Sequence, residues 1–375
     1  MVPVPYVSIN PSKKKEVQVF ISIKYTIEVL NIMGKRVVIP NGTEIVLIDT
    51  CTFINLEQSR VTAANRAAVL KVSELDGLLC ISDLSFVELV LGCKDVNQLK
   101  NHFENLKSMD FVIFGRFDEL QSLLSIECVV NVINRNSLEE YKQKLKIVRN
   151  NILFPVFRAI FITYCQIMLM VLHNIDKNYW DQAFFLFNRL LNERFSSFSE
   201  LLRDMFVEFV DDKKESRKML RDGFKSIVVS ILPKEMPEKY NEEDLKLKLD
   251  AIKIKKESAE LFNNLHLKKE PKSVSNPYIV PMMERFKKGI DYTGLEDEMI
   301  RDGINYATQL IFFTGSNFDS HDLIDLLNIS MSGYSKDIVH YFTDEEKWIE
   351  FLKAEQKVVH NCPDMDLIHL NFNND

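Results

Sequence analysis

Glu44-Ile45-Val46-Leu47-Ile48-Asp49-Thr50 is the stretch that decides the fold. Its apolar residues run without a polar alternate, and three of the four are β-branched. Such a strand is buried on both faces, as in a parallel sheet. The run ends abruptly at an aspartate. Open sheets of parallel strands bind ligands outside their carboxyl ends, so Asp49 is placed as a ligand or catalytic group, with a helix N-cap as the competing role.

Downstream, a helical stretch from about Leu56 to Leu75 is stopped by Gly77, and Leu78-Leu79-Cys80-Ile81-Ser82 reads as a second short strand. A helix from about Leu84 to Met109 follows, with Ser82 or Asp83 as its N-cap, and Phe111-Val112-Ile113-Phe114 is a third strand. Strand, helix, strand, helix, strand at this spacing predicts an α/β layer with parallel pairing. Upstream, Val17–Ile23 and Arg36–Ile39 alternate like short strands and Asn41-Gly42 marks a turn, so residues 1–44 read as an N-terminal β-rich extension.

From residue 116 to 294 helical periodicity takes over, in Leu138–Arg149, Ile152–His173, Trp180–Phe195, Phe198–Val210 and Asp244–Leu265. Lys268–Pro277, with its prolines, lysines and serines, reads as a linker. The α/β order then returns, with helices at Leu295–Phe313 and Ser320–Met331, a strand at Ile338–Phe342, a helix at Glu345–Lys357 and a last strand at Leu367–Leu370. The predicted organisation is an α/β domain over 45–115 and 295–375, interrupted by an all-helical insertion over 116–294.

Composition narrows the classes. Of 375 residues, 46% are apolar and 27% charged, which excludes a disordered tail, a collagen-like fibre and a small disulfide scaffold. The net charge of −7 gives no global basic field for nucleic acid. The charge is uneven, however: Leu295–Asp375 carries 16 Asp/Glu against 5 Lys/Arg, leaving 38 acidic and 42 basic residues in the other 294. The six cysteines, at 51, 80, 93, 128, 165 and 362, form no Cys-x-x-Cys pair and predict reduced thiols in a cytoplasmic protein. The first residues do not resemble a signal peptide. Ile152–Leu172 is long enough to cross a bilayer but contains Pro155, Arg158 and Gln166. An arginine there costs roughly 3 kcal/mol on insertion scales, so a buried helix is expected and no membrane.

No glycine-rich phosphate loop, Gly-x-Ser-x-Gly elbow or His-Glu-x-x-His is present. The chain offers carboxylates instead. Glu88 lies in an otherwise apolar helical run, Phe86-Val87-Glu88-Leu89-Val90-Leu91, where a carboxylate needs either a wet stripe or a partner. Asp322 and Asp325, three apart, share one face near a helix head, where the helix dipole also favours acids. Phe342-Thr343-Asp344-Glu345 adds carboxylates at a strand end. His360, Cys362, Asp364, Asp366 and His369 match no zinc spacing and read as a loop, while His102 and His173 read as capping or surface residues.

Val46-Leu47-Ile48-Asp49-Thr50, Ile81-Ser82 with Glu88, Asp322-Leu323-Ile324-Asp325 and Tyr341-Phe342-Thr343-Asp344 together resemble the PIN-like domain family of metal-dependent nucleases. The resemblance implies a PIN-like parallel sheet flanked by helices. It implies Mg²⁺ or Mn²⁺ held by Asp49, Glu88, Asp322 or Asp325, and Asp344 or Glu345, with Asp49, Glu88, Asp325 and Asp344 as the catalytic set. Thr50 and Thr343 would orient carboxylates. Carboxylate oxygens are hard ligands suited to these ions, and a pair of ions roughly 4 Å apart serves an in-line phosphodiester displacement. The family implies RNA rather than DNA as substrate, and a toxin or defence role. Lys142, Lys144, Lys146, Arg149 and the Lys246–Lys256 face are candidates to hold the nucleic-acid backbone. A protein regulator and a homo-oligomer are compatible with this reading. The second reading is a degenerate PIN-like scaffold that binds a protein through the helical insertion.

Overall fold

The structure, a computed structural model, describes residues 27–31, 36–39, 45–57, 78–109, 111–115, 117–175, 196–211, 216–250, 298–311, 318–331, 339–343, 347–349 and 351. The chain divides into two compact units, one of Met1–Arg149 with Met331–Asp375 and the other of Asn150–Ser330.

The first unit is an α/β fold. Its strands are β1 (Ile27–Asn31), β2 (Arg36–Ile39), β3 (Ile45–Ile48), β4 (Leu78–Ser82), β5 (Val112–Phe114) and β6 (Val339–Phe342). They form one sheet in the order β2-β1-β5-β4-β3-β6. β6, β3, β4 and β5 run parallel, whereas β1 is antiparallel to β5 and β2 to β1. The apolar run that predicted a doubly buried strand sits inside the parallel part: Val46, Leu47 and Ile48 of β3 and Leu79, Cys80 and Ile81 of β4 are all buried. The expected N-terminal extension contributes to the sheet: β2 matches the expected strand at 36–39, and β1, not singled out in the sequence, joins it to β5. The stretch 17–23 lies outside the described residues.

Helices α1 (Thr50–Glu57), α2 (Asp83–Gly92), α3 (Val96–Ser108), α4 (Asp118–Gln121) and α5 (Ile126–Arg135) also belong to this unit. The single helix expected from Leu84 to Met109 is two. α2 ends at Gly92, and Asp95 starts α3 by accepting a hydrogen bond from the Gln98 amide at 2.9 Å. A glycine followed three residues later by an N-capping aspartate is the local chemistry that breaks the run. Phe53 of α1 packs edge-on against Phe111 with centroids 5.5 Å apart, tying that helix to the strand β5 region.

α6 (Leu138–Ile175) is one continuous helix where two were expected, with Pro155 inside it. The division between the units falls in this helix, between Arg149 and Asn150, rather than at 115/116. The return falls at Ser330/Met331, so Asp322 and Asp325 count with the second unit.

Every described element of the second unit is helical: the rest of α6, α7 (Ser196–Asp211), α8 (Ser216–Glu235), α9 (Glu242–Asp250), α10 (Glu298–Gln309) and α11 (Ser320–Met331). Its aromatic core includes Phe157, whose ring lies 5.2 Å from Phe206 and 4.9 Å from Phe209. Val156, Phe157, Ile160, Phe161 and Cys165, from the stretch checked for membrane insertion, are buried in protein. Among the described residues no helix is long and apolar enough to cross a membrane. The expected helix 180–195, the linker and the final strand at 367–370 lie outside the described residues.

Candidate functional site at the carboxyl edge of the sheet

Asp49 leaves β3 and caps α1 in one step. Its Oδ1 accepts the Thr52 amide hydrogen bond at 2.6 Å, while its carbonyl accepts the first helical bond from Phe53 at 3.0 Å. The predicted alternatives for Asp49, helix cap and site carboxylate, are thus compatible, because the cap engages one oxygen and orients the group. Only 3% of the residue is exposed.

The register places its neighbours. Ile48 pairs with Ile81 on one side and Phe342 on the other, so Asp49 and Thr343, each one residue past the end of its strand, stand level with Ser82, the last residue of β4. Thr343 is buried, and Asp344 and Glu345, which follow it in sequence, lie outside the described residues.

Glu88 reaches the same edge from α2. The Thr50 hydroxyl donates to Glu88 Oε2 at 2.6 Å and also lies 3.5 Å from the Ser85 carbonyl. The glutamate is half-buried while Leu84, Ser85, Phe86, Val87, Leu89 and Val90 around it are buried, which resolves why a carboxylate stands in that apolar run. It has a hydroxyl partner one residue from Asp49. A hydrogen bond to an ionised carboxylate is shorter and about twice as strong as a neutral one, so Thr50 fixes the orientation of Glu88.

Sequence reasoning left Asp83 as an alternative N-cap. Ser82 takes that role instead, its Oγ accepting from the Ser85 amide at 2.8 Å. Asp83, 1% exposed, accepts from Leu84 N at 2.8 Å and from Phe117 N at 2.9 Å. The signal for this role is absent from the sequence, because Phe117 is 34 residues away.

In the second unit, Asp322 Oδ2 accepts the Asp319 amide at 2.7 Å at the head of α11, the reciprocal half of a capping box. Asp325, one turn further on, is 8% exposed. The Asp319 bond gives Asp322 a local structural function at the helix head.

Among the described residues no group of three or more His, Cys, Asp or Glu is gathered to hold a metal ion. The oxygen donors on this edge are Asp49, at the end of β3, and Glu88 of α2, which the Thr50 hydroxyl ties to the residue after Asp49. This all-oxygen set is the type that hard divalent cations use, and Mg²⁺ commonly takes only one or two protein carboxylates and completes its shell with water and phosphate.

Four of the lysines proposed for backbone contact make local contacts. Lys144 pairs with Glu140 at 2.7 Å, Lys246 with Glu242 at 2.5 Å and Lys248 with Asp244 at 3.0 Å, each four residues apart on one helix. Lys142 donates to the Cys93 carbonyl and lies 3.4 Å from Glu139. Arg149 is 9% exposed. None of the five described cysteines forms a disulfide.

His102 is a correction to the surface reading. It is 8% exposed, and its Nδ1 lies 2.5 Å from Glu57 Oε2, while Glu57 Oε1 accepts from Asn105 at 3.0 Å. Burial alone would depress the imidazole pKa, but hydrogen bonds to Cys93 and Glu57 and the negative charge of Glu57 outweigh it and raise the group to about 9.

A cavity of about 420 Å³ opens between α5 and the head of α6, lined by residues that include Leu123, Cys128, Val132, Arg135, Tyr141 and Lys144. None of the predicted metal or catalytic residues lines it, although Lys144, a candidate for nucleic-acid contact, does. No family model, curated protein or solved structure matches the chain.

Proposed function

We propose that this protein is a metal-dependent endonuclease with a PIN-like domain, cleaving RNA phosphodiesters with Mg²⁺ or Mn²⁺ held by Asp49 and Glu88. The observation that supports the reading is the 2.6 Å hydrogen bond from Thr50 to Glu88, which ties Glu88 to the residue that follows Asp49 at the carboxyl edge of the parallel sheet. Asp344 or Glu345 enters from its place directly after Thr343 in the sequence, and Asp325 enters on its sequence position alone. RNA is preferred to DNA because of what the resembling family acts on.

The chain's own contribution is positional. Asp49 is oriented by the Thr52 amide and Glu88 by Thr50, so neither carboxylate has to be ordered when a substrate arrives. When bound, the ion would neutralise charge on the scissile phosphate and lower the pKa of an attacking water. Thr343, buried beside Asp49 in the register, would orient the acids that follow it.

The test is cleavage of labelled single-stranded RNA and DNA with Mn²⁺, comparing wild type, Asp49→Asn, Glu88→Gln and a chelator. We expect cleavage of RNA that falls at least about a hundredfold in each variant and stops with chelation. Absence of cleavage together with absence of Mn²⁺ binding would discard this reading in favour of a scaffold. Asp325→Asn and Asp322→Asn assayed side by side should separate a chemical role for the first from a capping role for the second.

A further inference from the structure

We infer that Asp83, outside the predicted ligand set, is a positioning residue whose carboxylate latches the loop after β5 to the head of α2 and so fixes where α2 presents Glu88. The inference rests on the reading of Glu88 as a metal-holding group.

Three observations carry it. First, the carboxylate is buried, and a buried charge is costly unless hydrogen bonds replace its water. Second, the bonds it makes are unequal in kind. The one from Leu84 is local, available to any aspartate at the start of a helix, whereas the one from Phe117 joins two elements distant in sequence. Phe117 is in turn the N-cap residue of α4, its carbonyl accepting from Leu120 at 2.9 Å. Third, Ser82 already caps α2, which leaves the Asp83 side chain to reach across to the loop.

Helix α2 is therefore held at two points. Asp83 ties its first residue to the loop that leaves β5, and Glu88, five residues on and roughly 7.5 Å along the axis, is tied to Thr50 on α1. A short helix fixed at both points has one orientation about its axis. Loss of the first tie lets the second drift, and a carboxylate that must meet a cation tolerates little drift.

The experiment uses the full chain with Asp83→Asn and Asp83→Ala, alone and combined with Glu88→Gln. Asparagine keeps the size of the side chain but has a single acceptor, so it cannot serve both amides. Hydrogen exchange of the Phe117 amide, measured without metal, reads the latch directly. It should accelerate by about tenfold or more in Asp83→Ala, which keeps no acceptor, as loss of the hydrogen bond requires. Mn²⁺ affinity by calorimetry should fall about tenfold in Asp83→Asn, yet be unchanged by the same substitution in the Glu88→Gln background, because the effect passes through Glu88. Unaltered Phe117 exchange overturns the latch. Equal loss of Mn²⁺ affinity with and without Glu88 overturns the positioning role and makes Asp83 an independent ligand. A wild type that binds no Mn²⁺ removes the metal-binding reading and the role through Glu88 with it, and the Phe117 exchange still decides the latch alone.

Discussion

Glu57 and His102 show how much a single buried contact can govern. The imidazole is protonated in the folded protein up to a pKa of about 9, against an ordinary value of 6.5. A raised histidine pKa means that the folded state binds the proton more tightly than the unfolded chain. Its stabilisation is complete below about pH 6.5 and declines as pH rises through 9. Chemical unfolding at pH 6, 8 and 10 should show stability falling by up to about 1.4 kcal/mol per unit across that window. Glu57→Gln should flatten the slope and destabilise the protein by about 3 kcal/mol at pH 6, since it strips a buried cation of its partner. A pH profile that is the same in wild type and Glu57→Gln would show the pair to be inert. At this scale the sequence was informative where chemistry is local. Asp49 after an apolar strand and Glu88 in an apolar helix were both legible. Asp83 and His102 were not, because their partners Phe117 and Glu57 are 34 and 45 residues distant.

Among the elements, the strands that carry the site were the clearest in the sequence, because a run such as Ile45–Ile48 admits few other structures. The helices were harder. Continuous periodicity from Leu84 to Met109 concealed the break at Gly92 and Asp95, and the break expected between Arg149 and Ile152 is one that α6 does not make. Nor was α8 anticipated, since its charged start obscured the apolar face that holds Leu220, Phe224, Ile227 and Val228 in the core. Gly223 of that helix marks close packing: a Cβ there would run into the end of the Met205 side chain on α7 and lie 3.4 Å from the Phe161 ring of α6. Alanine gains about 1 kcal/mol of helix propensity and displaces only a flexible thioether, so Gly223→Ala should be close to neutral. Gly223→Leu cannot be absorbed in this way and should cost about 2 kcal/mol or more in thermal unfolding. A Leu variant as stable as wild type would mean that α7 and α8 pack more loosely than described.

For the whole molecule, the discontinuous plan is the main outcome. The sequence showed that α/β character returns after a long helical stretch, and β6 does pair with β3 in one sheet. The units divide within α6 and after Ser330 rather than at the expected 115/116 and 294/295, and the periodicity of the helices concerned carries no label of which core they join. One prediction belongs here: a chain stopped before Val339 lacks β6 and leaves one edge of β3 without its described neighbour. Such an unpaired edge is a template for aggregation, so this truncation should be largely insoluble, whereas one ending at residue 351 should remain soluble. Equal solubility of the two in expression trials would show that β6 does not protect the sheet.

The pairing of β3 with β6 also sets a clock. Ile45 meets Val339, 294 residues later, and a ribosome adding about 5–20 residues per second needs roughly 15–60 s to cover that distance. For most of that interval the nascent chain has already made Asp49 and Glu88 but not β6, the strand that pairs with β3 beside Asp49. If the carboxylates serve as proposed, the nascent chain stays inert while this part of its messenger is being read, and becomes competent only once translation has passed β6.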